Sequence, residues 1–188
     1  MLRLLRSDAQ HRALRAFAHT AAALARELGV LADPHHDEER CRLVDRDGRQ
    51  IDLHNPWHFT GCTAEPDRAA LQSLLLPTDL GTAGHFGRID VVERLLRDGA
   101  DPGLTDPNGL TPIDRTISAW VTTDLHVACV DALLAAGAPV MPDHVHRLGM
   151  DAVGSSMDIQ IVERLAAHTT DPDLREQLSG LIQIWRTL

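Results

Sequence analysis

The feature that most restricts the fold of this chain is a segment that recurs along it. Val91 to Ile113 reads VVERLLRDGADPGLTDPNGLTPI, Ala132 to Val140 reads ALLAAGAPV, and Ile161 to His168 reads IVERLAAH. Each places apolar side chains on one side of a short helix, and the first two run into a glycine turn. A unit of this kind buries a single apolar side against its neighbour, so it is stable only in a stack whose ends are shielded. The residues between the helices have separate physical reasons. Pro112 fixes φ at a first helical turn, where its missing N–H leaves no bond unmade, and Thr111 before it can cap the exposed donors. Gly99 and Gly109 suit turn positions of positive φ.

These motifs resemble the ankyrin repeat over about half the chain, residues 76–170, as about three degenerate units. In the best-matched unit, Thr78-Asp79-Leu80-Gly81 stands in the T-P-L-H slot and Ala83 in the small-residue slot. Gly87 ends the first helix, Val91, Val92, Leu95 and Leu96 form the core face of the second, and Gly99-Ala100-Asp101 is the G-A-D turn. The next unit opens DPNGLTPID at Asp106, with Gly109, Thr111, Pro112 and Ile113 at signature positions. Gly81 and Asp114 stand where the signature histidine belongs, so the side-chain bonds that tie adjacent turns are expected to be absent or altered. An insertion of about five residues is expected between the helices of the second unit, around Ser118 to Asp124. A third unit, His144 to His168, keeps IVERL without the glycine turn.

The resemblance implies a mainly α fold, an ankyrin-type helix-turn-helix repeat solenoid. It also implies a non-catalytic protein-interaction module that binds through turn tips and first helices on a concave side. The candidate contact residues are then His85, Phe86 and Arg88 in the first unit, Thr105, Asp106, Asn108 and Leu110 at the turn, and Arg115, Ser118 and Trp120 in the second. Trp120, of a type enriched in binding hot spots, is the expected anchor. A small acidic protein of this type can also act as an immunity or inhibitor protein, masking a toxin or enzyme by charge complementarity.

Residues 1–75 read as an N-terminal helical cap with a hairpin or a degenerate repeat. Ser7 or Asp8 can cap a helix whose apolar stripe is Leu14, Phe17, Ala21, Leu24 and Leu28, and Gly29 stops it. The acidic stretch Asp33 to Glu39 is expected to be a solvated loop. CRLVDRDGRQIDL, Cys41 to Leu53, holds two short alternating runs about Asp47-Gly48, a β-hairpin signal. Continued to Phe59, the same residues loosely resemble an ankyrin opening, and both readings stay open. Pro66 to Leu76 reads as a short helix. Residues 171–188, with Leu174, Leu178, Leu181, Ile182 and Trp185 at helical spacing, read as a C-terminal capping helix.

Composition narrows the function classes. The formal charge of -9 opposes a broad grip on nucleic-acid phosphates and favours a protein partner with a basic or neutral contact surface. No lysine occurs, which removes Schiff-base chemistry and the Lys-dependent phosphate loop. The three cysteines, Cys41, Cys62 and Cys129, are scattered without a C-x-x-C pair, so a reducing cytoplasm and no disulfide framework are expected. No run approaches membrane-spanning length.

The competing class is a small enzyme or metal-binding protein built on the His-rich region 30–75. His35-His36 beside Asp37-Glu38-Glu39, and His144-x-His146, are the places for a metal, but both are expected in loops and neither has ligand spacing on one helical face. His58 and Cys62 make a weak thiol–base pair, and His54 to His58 reads as a Trp-anchored turn. No cofactor or metal and no catalytic residue is therefore expected.

Overall fold

The computed structural model describes residues 8–53, 68–119, 121–151 and 155–187. It divides into two compact units, Met1–Leu76 and Pro77–Leu188. Among the described residues the chain is mainly helical, with one small antiparallel sheet.

In the first unit α1 (Asp8–Glu27) carries most of the apolar stripe that its spacing predicts: Leu14, Phe17, Ala21 and Leu24 are buried with Ala18 and Ala25 between them, while Leu28 falls in the turn after the helix and is half-buried. Gly29 ends the helix at φ 68°. Three strands follow, β1 (His35–Asp37), β2 (Arg42–Val44) and β3 (Gln50–Asp52), in the order β1-β2-β3. The register sets His36 opposite Leu43 and Leu43 opposite Ile51. Leu43, Ile51 and Leu53 are fully buried, and α1 packs on β1 and β2. Of the two readings of residues 41–53, the hairpin holds. The expected solvated loop at Asp33 to Glu39 does not, because His35 to Asp37 pair with β2 across the turn at Glu38 to Cys41. Asp45 secures the hairpin: its buried carboxylate accepts from the backbone N–H groups of Asp47, Arg49 and Ala32 and from the Arg49 side chain. Burial alone would raise the Asp45 pKa, but the donors from Arg49, Ala32 and Asp47 outweigh it and hold the group below the ordinary carboxylate value. The last element is α2 (Arg68–Leu75), with Leu71, Leu74 and Leu75 inward.

The second unit is all helix among its described residues: α3 (Leu80–His85), α4 (Ile89–Arg97), α5 (Pro112–Ile117), α6 (Asp124–Ala135), α7 (Pro142–Asp151), α8 (Ser156–His168) and α9 (Pro172–Thr187). The short helices α3, α5 and α7 pack in succession on one side, and α4, α6 and α8 in succession on the other. α9 covers α7 and α8. One aliphatic core, including Val92, Ile113, Val130, Leu133, Ile161 and Leu165, runs through the unit. Each such side chain contributes roughly 1.5–3 kcal/mol by leaving water.

Two contacts set how closely the first helices approach. A Cβ at Gly84 would overlap the hydroxyl of Thr116, so α3 and α5 touch where one side chain is missing. Gly87, at φ 62°, ends α3 against the His126 ring. Between α5 and α6 the chain takes the six positions 118–123, against three at 86–88 between α3 and α4, which is the expected extra length in a shorter form. The charge is unevenly divided. Residues 77–188 carry 16 acidic residues and eight arginines, a formal charge of -8, against -1 for residues 1–76.

Candidate functional site

The site is built from the entry to α3, the turn after α4 and the entry to α5. Asp79 caps α3, accepting from the Thr82 backbone N–H at 2.8 Å and from its hydroxyl at 2.8 Å. Thr111 caps α5 in a reciprocal box with Asp114, and Pro112 follows at the first helical position. Between them, the Asp106 carboxylate accepts from the N–H groups of Asn108 at 2.7 Å and Leu110 at 3.0 Å. The same group receives the Arg115 side chain, whose Nε lies 2.8 Å away. The Leu110 N–H first, then the Arg115 and Asn108 donors, hold Asp106 below the ordinary carboxylate value. Gly81 has no side chain where the stem of Arg115 crosses α3, which leaves room for that ion pair.

These residues border a cleft of about 490 Å³. Its lining is largely apolar, with Leu80, Leu95, Ala100, Leu110, Pro107 and Pro112, and Leu104 at its edge is 68% exposed. Among the described residues Asp79, Asp101 and Asp106 are its acidic members and Arg115 its one cation. Asp101 accepts from the Gly103 N–H at 2.8 Å, which shapes the turn that carries Leu104.

Of the residues chosen from sequence, Thr105, Asp106, Leu110 and Arg115 meet in this cleft, and Asn108 stands exposed at the tip of the adjoining turn. His85 and Phe86 lie at the far end of α3, half-buried, their rings edge to face at 5.0 Å. Burial lowers the His85 pKa, although its Nδ1 lies 3.3 Å from the Arg115 carbonyl oxygen. Ser118 donates to the Arg115 carbonyl and belongs to the end of α5. Arg88 requires correction as a contact residue. It is 1% exposed and forks onto Asp90 at 2.9 and 2.8 Å, so its charge is spent inside the unit. Trp120 lies outside the described residues, as do His54, Asn55, Pro56, Trp57, His58 and Cys62.

Sequence reading missed Asp79, Asp101 and Leu104 as neighbours of one cleft. The signal was present in two Asx-type turns a few residues apart, Asp101-x-Gly103 and Asp106-x-Asn108, which project the intervening Leu104 and Thr105 outward.

Histidine ties occur at positions other than Gly81 and Asp114. His126 is fully buried; its Nδ1 accepts from the Thr123 N–H at 3.2 Å, so Nε2 carries the proton and donates to the His85 carbonyl at 3.1 Å. His144, equally buried, accepts from the Met141 N–H through Nδ1 at 3.2 Å. Its Nε2–H faces the Thr111 hydroxyl at 3.4 Å and the Asp114 carboxylate at 3.6 Å, and Arg147 lies 3.0 Å from the same carboxylate. Desolvation lowers the His144 pKa; Asp114 opposes the shift. His144 and His146 therefore lie on a helix, and His35 and His36 on a strand, rather than in loops. Burial raises the Cys129 thiol pKa well above its usual range, which makes it a core side chain and not a nucleophile.

Among the described residues no helix is long and apolar enough to cross a membrane. Compared with protein-family models, with curated proteins and with solved structures, the chain gives no match.

Proposed function

We propose that residues 76–170 form a short ankyrin-type repeat array capped by residues 171–188 and that the chain is a non-catalytic module holding a protein partner through the turn tips and first helices. Four features support the repeat reading. The helices come in pairs, first helices pack on first and second on second, glycines of positive φ end the turns at Gly99 and Gly137, and α9 shields one end. The observation that carries the functional reading is the cleft itself. It is open, mostly apolar and lined by the very turn that the sequence marks as the contact surface. An enzyme or metal protein built on residues 30–75 has less to support it, since the buried Asp45 is engaged in closing the hairpin and His35 and His36 serve as strand residues.

The test is affinity isolation from the source cells with the parent chain and with Thr105→Arg/Asn108→Arg, two exposed tip positions whose change leaves the fold intact. Retention of one protein by the parent in near-equal amount, and its loss on the double variant, is expected. Equal retention by both, or none by the parent, would overturn the reading.

A further inference from the structure

The cleft between α3 and the turn after α4 has a chemistry more particular than a general contact surface. Its walls are apolar, its members include three carboxylates, and its one cation is already neutralised: Arg115 is latched to Asp106. Asp79 and Asp101 are left without a compensating positive group in the lining. Each uses acceptor capacity on a nearby N–H, yet a carboxylate has about four lone-pair directions, so both retain capacity for a further donor. Around them the unit carries a formal charge of -8, which repels anions and concentrates cations at the mouth. Leu104, 68% exposed, stands beside Asp101 as an apolar surface that water covers poorly.

We infer that this cleft receives an extended segment of the partner protein that presents an arginine or lysine to Asp79 and Asp101 and an apolar side chain to Leu104 and Leu110. A cation alone would leave Leu104 in water, and an apolar side chain alone would leave two carboxylates to be desolvated without a counter-charge. A cationic and an apolar residue two positions apart answer both demands, because an extended chain points successive side chains to opposite sides and every second one to the same side. The inference rests on the reading of the chain as a protein-binding module and specifies what that module selects.

The experiment measures fluorescence anisotropy of a labelled nine-residue Arg–Leu peptide, Ser-Arg-Ser-Leu-Ser-Arg-Ser-Leu-Ser, which puts Arg and Leu on one face of an extended chain, titrated with the full chain at 50 and 300 mM sodium chloride. Peptides with Glu or Ser in place of Arg serve as comparisons. Binding of the Arg–Leu peptide alone is expected, weakened at least threefold by the higher salt. Asp101→Asn, which keeps the acceptor for the Gly103 N–H, and Leu104→Ser, at an already exposed position, should each weaken it about fivefold or more. Glu93→Gln removes the same charge from an exposed position on α4 outside the cleft and should change it less than twofold. Two results would overturn the inference: no binding of the Arg–Leu peptide at millimolar protein, or a loss with Glu93→Gln equal to that with Asp101→Asn. If either occurs while Thr105→Arg/Asn108→Arg still releases the natural partner, the module reading stands and only its cationic preference falls.

Discussion

Residues 1–76 and 77–188 solve the same problem, fixing short elements that are too small to hold themselves, by opposite means. In the first unit a carboxylate does it. Asp45 gathers donors from both ends of the hairpin loop and from the segment before β1, and the charge there is nearly balanced. In the second unit neutral imidazoles do it, within a strongly acidic surface. His126 and His144 each accept at a helix entry and present the opposite nitrogen to an earlier helix. A carboxylate can only accept, so Asp45 gathers several donors about one point; a neutral imidazole both accepts and donates, so it relays between its own helix entry and an earlier helix. The sheet therefore needs one local anchor, whereas the helix pairs need a tie at each new layer.

The largest expected effect tests whether close packing rather than these ties dominates the helical unit. Gly84→Ala should lower stability by about 3 kcal/mol through overlap with the Thr116 hydroxyl. In a Thr116→Ala background most of that loss should disappear, and a double-mutant cycle by denaturant unfolding measures the coupling. Next come the two anchors. Asp45→Ala and His126→Ala should each remove about 2 kcal/mol by leaving buried backbone groups without partners. Hydrogen exchange resolved by peptide should place the first loss in residues 30–53 and the second in residues 80–135. Exchange that rises equally in both units would break the comparison.

A smaller effect is expected at Gly99, whose φ is 91° and whose surroundings are open. Gly99→Val should cost about 1.5 kcal/mol from backbone strain alone, read as a shifted unfolding midpoint. The smallest effect distinguishes the anchors by pH. His144 has a folded pKa below 6.5, so below pH 6.5 the unfolded chain binds the extra proton and stability falls as pH drops toward the folded value. Asp45 has a folded pKa below 3.8, so its contribution is complete above that pH and is lost only as pH falls through its lower folded value. Desolvation lowers the His36 pKa on β1 in the same direction, so both units lose stability on mild acidification, and His144→Gln should flatten the dependence of the helical unit alone between pH 6.5 and 5.

Much of the fold was legible because its causes are local. The stripe of α1, the Thr111-Pro112 helix start and the glycine at 99 each rest on residues within a few positions of one another, whereas the pattern about Asp47-Gly48 left a hairpin and a degenerate repeat both open. β1 was not legible, since three polar residues in an acidic stretch become a strand only by pairing with β2. The histidine ties were missed for a related reason. His126 reaches a carbonyl 41 residues earlier, and His144 a hydroxyl 33 residues earlier. A local mark did exist: Thr123-Asp124-Leu125-His126 and Met141-Pro142-Asp143-His144 repeat the cap-to-third-residue offset of Thr111 and Asp114. At the site, the tip residues were named from the ankyrin resemblance, and four of those candidates, Thr105, Asp106, Leu110 and Arg115, border the cleft. That Arg88 points inward was not legible, because an arginine at a helix start gives no sign of which way its side chain turns.

The ties at His126 and His144 also bear on how the chain is made. In each, the ring belongs to the later helix and the group it reaches belongs to an earlier one, so synthesis delivers the receiving surface before the tie. A nascent chain that has emerged through Arg97 contains the residues of α3 and α4, while the donor for the His85 carbonyl at the end of α3 is still to be translated. Each tie therefore joins a new layer to one already synthesised, and the stack is completed when the last helix, α9, covers its end.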